Sequence, residues 1–339
     1  MIIHALWFGL LGVMLAVYAV LDGYDLGAGA AHLWLARSDA ERRIVLNSIG
    51  PVWNGNEVWL LAAGGMMVVS FPRLYAAAFS GFYLALVLVL WLLILRGVSI
   101  EFRSKIAHEL WRALWDAGFC IGSLLLALLL GVALGNVLRG LPIGPQGVFQ
   151  GTFAIMLNPY ALLTGLLSVA VLAWHGMNFL RGKTEGVLHE RALRWSSRLW
   201  WAALLLALGT TAATFTLRAG IGFNFARAPW ALALPALSLF GFAWSQTGSG
   251  DAGDRRAFAG STLAIIGLLG SAAATVYPAL LPSTLSPAYS LTIDNAASSP
   301  HAMITAFIAN LVGMVVVAGY SLYLHRLFRG KTRLGRHAY

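Results

Sequence analysis

Charge is what this sequence has least of. Asp, Glu, Lys and Arg make up 11% of its 339 residues, where a soluble domain carries about a quarter. That shortage excludes an ordinary water-soluble enzyme or binding domain. Acids are scarcer than bases, 13 against 23. Cysteine is almost missing: Cys120 stands alone, so there is no internal disulfide and no CxxC pair for a metal or redox centre. Walker and HExxH patterns are absent too, which removes the P-loop nucleotide and zinc-hydrolase signatures. No basic leader precedes the first apolar block, so it is read as a retained span, not a cleaved signal.

What is present is apolar. Hydrophobic residues reach 59% and the mean hydropathy is +0.76, in blocks of about 20 residues rather than amphipathic stripes, as in a polytopic helical membrane protein. The blocks predict nine transmembrane helices near 5–29, 56–71, 75–96, 113–138, 159–180, 199–217, 230–245, 258–280 and 303–325. The second and seventh are short, and Gly64-Gly65 interrupts the second. Charge orients them. Loops 30–55, 97–112, 181–198 and 246–257 and the C-terminal tail, with Arg96 counted among them, hold 19 of the 23 Lys and Arg residues. By the positive-inside rule this side is cytoplasmic. The expectation is one integral membrane domain over 1–339, N-terminus periplasmic and C-terminus cytoplasmic. Residues 1–138 form a first region rich in polar motifs, and 159–325 a second. The net charge of +10 then reflects membrane orientation and anionic lipid, not nucleic acid.

Against this background "VLDGYDLGAG", Val20 to Gly29, stands out. A charged Asp at a bilayer centre costs about 2.5–3.5 kcal/mol. Asp22 and Asp25 share a helix face at i and i+3 and lie toward the cytoplasmic end of the first span. The next span opens on that side with "PVWNGNEVW", where Asn54 and Glu57 repeat the spacing. Antiparallel packing brings the four to one depth, and Gly23, Gly27, Gly29 and Gly55 are expected to let the helices approach closely. A third polar group, "RGVSIEFRSK", holds Glu101, Arg103 and Lys105, and Asp116 starts the fourth span, where an acid suits a helix N-terminus. Two readings stay open: these groups cap helices and bond across them, or they line a hydrated proton entry from the cytoplasm. Of eight histidines, only His175 lies clearly within a span, and it reads as a hydrogen-bonded core residue, not a haem ligand. The residues alone describe a nine-helix protein with buried acids on one side and no cofactor site of its own, which implies a partner carrying the chemistry, or a transporter with an intramembrane acid pair.

The segments "LDGYDLGAG", "ERRIVLNSIGPVWNGNEVWLLAAGG", "FPRLYAAAFSGFYLALVLVL", "EFRSKI" and "WDAGFCIGSLLLALLLGVALGN", dense over 17–136, resemble subunit II of the cytochrome bd-type quinol oxidases, including their cyanide-insensitive branch. "LNPYALLTGLLSV" and "YPALLPSTLSPAYSLTIDNAASS" resemble later family segments. The resemblance implies two four-helix bundles plus a peripheral helix in the bacterial inner membrane. It implies a partner, subunit I, that carries haems b and d and the quinol site, with none bound by this chain; O2 is reduced to water by quinol. It leaves room for a structural quinone or lipid here and for small single-helix accessory subunits. It also implies a proton route through Asp25, position 54 and the entry at Glu101 and Lys105, with Asp22 beside it. Many relatives read "WDGN" where this chain has Asn54, so Glu57 is expected to take over the ionisable role. A purely structural, assembly-only subunit is the alternative.

Overall fold

The computed structural model describes residues 2–218 and 221–334. The chain is helical nearly throughout: α1 (Ile2–Ala30), α2 (His32–Leu35), α3 (Asp39–Ile49), α4 (Trp53–Ser70), α5 (Pro72–Gly81), α6 (Tyr83–Phe102), α7 (Glu109–Arg139), α8 (Phe153–Met156), α9 (Pro159–Lys183), α10 (Gly186–Leu217), α11 (Ile221–Arg227), α12 (Ala233–Trp244), α13 (Gly250–Val276) and α14 (Pro300–Leu327). Seven of them, α1, α6, α7, α9, α10, α13 and α14, are long and apolar enough to cross a membrane. The other two expected spans are the ones the sequence marks as short: α4 has 18 residues, and the seventh apolar segment runs only from Pro229 to Trp244. The expected third span is two helices, broken at Phe82.

The helices outlast their apolar blocks. α10 starts at Gly186 and α6 runs to Phe102, so most of 181–198 and the start of 97–112 are helix, not loop. Hydropathy reads only the turns that face lipid. The polar turns beyond them stay helical because backbone hydrogen bonding continues, with side-chain pairs such as Glu190 and Arg194 at 3.8 Å across one turn. Two further helices, α2 and α3, lie inside the expected loop 30–55. Helix α3 begins with a capping box: Ser38 Oγ accepts from the Glu41 amide, and the Glu41 carboxylate accepts from the Ser38 amide.

α1, α4, α6 and α7 form one bundle and α9, α10, α12 and α13 a second, joined where α9 packs on α1 and α7. α14 lies outside both, chiefly against α4 and α1, with Met303 its only fully buried residue. The seam between bundles is made by glycine. A Cβ on Gly27 would stand 1.9 Å from the Leu172 carbonyl oxygen, and one on Gly176 would stand 2.4 Å from the Ala28 nitrogen. Here α1 and α9 touch backbone to backbone, as small residues permit in membranes. Gly55, expected to serve the same purpose, does not: nothing lies within 4 Å of the position its Cβ would take.

At the end poorer in Lys and Arg, segments 139–158 and 277–299 knit together. Leu281 pairs with Leu291 in a small antiparallel ladder, and Leu141 bridges to Ser283. At the basic end the tail turns back under the bundles: the Thr332 amide donates to Lys183 O at 2.7 Å. The tail beyond residue 334, which the sequence reading included in its basic end, lies outside the described residues.

Candidate functional site

The last turns of α1 bury Asp22, Tyr24 and Asp25 completely. Arg96 of α6, equally buried, meets the first of them: its Nη1 lies 2.8 Å from Asp22 Oδ1. Its Nη2 pairs with Glu57 of α4. One guanidinium thus joins three helices through two carboxylates, a use suited to the planar fork of Arg. From sequence alone Arg96 counts with the cytoplasmic loop, at a helix boundary and with no acid assigned to it. The signal was available: intramembrane acids call for a counter-charge, and Arg96 is a base flanked by apolar residues.

Asp25 has a different environment. Its Oδ2 accepts from Asn56 Nδ2 at 2.8 Å, and no ion pair to it is found among the described residues. The other oxygen, Oδ1, is buried without a hydrogen-bond partner. The same Asn56 nitrogen donates to Tyr24 Oη at 2.8 Å and approaches Leu21 O at 3.3 Å. Tyr24 Oη lies 3.1 Å from His325 Nε2 on α14, and the ring of Tyr24 stacks on Phe179.

The structure therefore brings Asp22, Asp25 and Glu57 together at one depth, but not Asn54. Positions 54 and 56 are two residues apart on a helix, so they face nearly opposite ways. Asn56 is buried and Asn54 is exposed. Glu57 remains one-fifth exposed at the edge of the cluster. Glu101 is half-buried and Lys105 exposed, near the end of α6.

A second network sits closer to the basic end. Asp116, read from sequence as a helix-terminus acid, is fully buried. It takes His32 Nε2 at 2.8 Å, Arg42 Nη1 at 2.9 Å and Arg103 Nε at 2.6 Å. Arg103 also reaches Asp39 at 2.9 Å. Burial pulls the His32 imidazole below its ordinary value against the opposing pull of Asp116. At the start of α3, burial works against ionisation of Glu41, but bonds from Arg191 and the Arg37 and Ser38 amides win and hold its carboxyl below the usual 4.5. A depressed carboxyl contributes stability above its ordinary value and loses it as pH falls through the lowered one. Glu41→Gln is accordingly expected to cost about 1.5–3 kcal/mol at neutral pH and progressively less in acid, read by thermal unfolding at several pH values.

His175 has both ring nitrogens engaged, Nδ1 with Ser261 Oγ at 2.7 Å and Nε2 with Val20 O at 3.0 Å, as expected of a core histidine. Among the described residues no group of three or more His, Cys, Asp or Glu side chains is arranged to hold a metal ion. Between the bundles lies a cavity of about 460 Å³. Its walls are almost wholly apolar, and Tyr18, whose hydroxyl is buried without a partner, stands at its edge.

Such a two-bundle helical scaffold, with its buried charge networks gathered near one end, is that of a polytopic membrane protein. The chain belongs to the family of the cytochrome bd terminal oxidase subunit II, whose model matches residues 3–328. It is 30% identical to cytochrome bd ubiquinol oxidase subunit 2 of Bacillus subtilis over 96% of each chain. It is 41% identical to cytochrome bd-I ubiquinol oxidase subunit 2 of Escherichia coli over 56% of this chain and 51% of the relative. In fold it is similar to a chain of the bd oxidase from Geobacillus thermodenitrificans, with a TM-score of 0.80 over 97% of this chain and 99% of that one, at 19% identity.

Proposed function

We propose that this chain is the haem-free partner of a haem-bearing subunit I in a quinol:O2 oxidoreductase of the bacterial inner membrane, and that it carries the cytoplasmic leg of proton uptake for the reduction of O2 to water. One observation carries the second part: Asp25 is a fully buried carboxyl held by an amide instead of a cation. Three carboxyls, Asp22, Asp25 and Glu57, gather beside one guanidinium, which pairs with Asp22 and Glu57 but not with Asp25. One positive charge offsets only part of this set, and burying uncompensated charge is costly, so water or protons must offset the rest. Glu57 is one-fifth exposed and reached by water, which leaves the sealed Asp25 as the group that takes up and releases a proton. Glu57, at the exposed edge, is the ionisable group nearest the surface of the cluster. Asn54 contributes no more than a water-binding amide at the mouth, with Glu101 and Lys105 beyond it on the cytoplasmic side.

Asp25→Asn in the assembled complex is expected to slow turnover and proton uptake by about 10² or more while haem content stays normal. Glu57→Gln is expected to have a smaller effect. Unchanged proton uptake in Asp25→Asn would falsify the reading.

A second reading, an assembly subunit only, draws on the Asp22–Arg96–Glu57 bridge, which ties α1, α4 and α6 with no need of a moving proton. It predicts that substitutions in the cluster lower haem content and turnover together. The inter-bundle cavity suits the long apolar chain of a structural quinone or lipid, with the unpaired Tyr18 hydroxyl available to a polar head. Small single-helix accessory subunits complete the proposed partners.

A further inference from the structure

We propose that His325, on the last turn of α14, takes protons from the cytoplasmic water and passes them through the Tyr24 hydroxyl to Asp25. The inference rests on the reading of Asp25 as the proton-holding group and names its donor. The hydrogen bonds that start at Asp25 run through Asn56 and Tyr24 and end at His325. His325 is half-buried at the end of α14, so the link leads from a sealed carboxyl to a side chain that water reaches.

The directions of these bonds are fixed by chemistry. Ser321 O, 2.8 Å from His325 Nδ1, can only accept, so Nδ1 carries the hydrogen. In the neutral ring Nε2 then accepts from the Tyr24 hydroxyl. Asn56 Nδ2 can only donate, so it cannot relay a proton itself. It holds the Tyr24 and Asp25 oxygens 2.8 Å from a single nitrogen, close enough for one water to bridge them. The transfer balances without electrons. The Tyr24 O–H first turns from Nε2 toward the bridging water, and a proton from water binds the freed Nε2. The new Nε2–H bond then breaks as the phenolic oxygen accepts that proton. The original Tyr24 O–H proton leaves through the bridging water to the Asp25 carboxylate, and His325 returns to its neutral form.

α14 packs only on the outside of the bundles, so a purely mechanical role must be separated: His325 could simply pin the helix. The test uses the purified oxidase complex in liposomes, with proton uptake from the cytoplasmic side timed after O2 is added to the reduced enzyme and haem content measured on the same samples. His325→Gln keeps a bond to Tyr24 but cannot carry a proton, and Tyr24→Phe keeps the ring between its aromatic neighbours. Both are expected to slow uptake by about tenfold or more at normal haem content. The double variant should be no slower than the worse single one, as for groups in series. Added imidazole should restore His325→Ala and not Tyr24→Phe. Wild-type uptake in His325→Gln, with Asp25→Asn slow, overturns the inference and leaves the Asp25 route standing. Wild-type uptake in Asp25→Asn overturns both. Loss of haem in His325→Ala, with normal uptake in His325→Gln, assigns His325 a pinning role and overturns the inference.

Discussion

Replacing Arg96 with leucine should leave little or no assembled complex. The substitution strands Asp22 inside the protein and Glu57 at its edge with no cation between them. Breaking a buried pair by removing one partner typically costs about 3–5 kcal/mol, and here one residue serves two acids. A lysine cannot repair this, because a single ammonium lacks the fork that reaches both carboxylates, so Arg96→Lys should recover only part of the loss. The triple change Arg96→Leu, Asp22→Asn, Glu57→Gln removes the charges together and should recover most of the assembly, since replacing a whole buried ionic set is often near neutral. Haem-containing complex per membrane protein measures all three. Normal assembly of Arg96→Leu alone would show that the bridge contributes nothing to holding α1, α4 and α6 together.

The second large effect concerns backbone contact. Gly27→Ala inserts a methyl 1.9 Å from Leu172 O and 2.9 Å from Gly176 N. No side chain can swing aside there, so α1 and α9 must separate along the seam between bundles. Overpacking of this kind costs about 3 kcal/mol or more. It also shifts Asp22 and Asp25, which lie on the adjoining turns. Gly55→Ala is the control from the same polar region: its Cβ meets nothing within this chain, and in the first turn of α4 replacing glycine gains at most about 0.5–1 kcal/mol. Thermal unfolding of the two variants should move in opposite directions. A Gly27→Ala variant as stable as the parent would mean that the seam is looser than the structure has it.

These cases show which parts of the protein its sequence makes legible. The apolar blocks are strong signals because lipid imposes them, and α1 was readable to within three residues at its start and one at its end. The acids of α1 and Glu57 were legible for the same reason, as charges out of place. Their partners were less so. Arg96 sits where the apolar run ends, so its apolar flanks are only a hint, and the continuation of α6 to Phe102 is what places it inside. Asn56 lost to Asn54 because motif correspondence selects a position, whereas helix geometry selects a face. Asp116 read as a local helix effect since its three basic partners come from α2, α3 and the end of α6, contacts that no local spacing encodes. His325 joins Tyr24 across 301 residues and has no sequence signal at all.

The most direct test is infrared difference spectroscopy of the intact complex between its oxidised and reduced forms, which detects carboxyl groups that gain, lose or rebond a proton. The account predicts a carboxyl band that disappears in Asp25→Asn and persists in Asp22→Asn and Glu57→Gln. A spectrum in which every carboxyl band survives Asp25→Asn would contradict it.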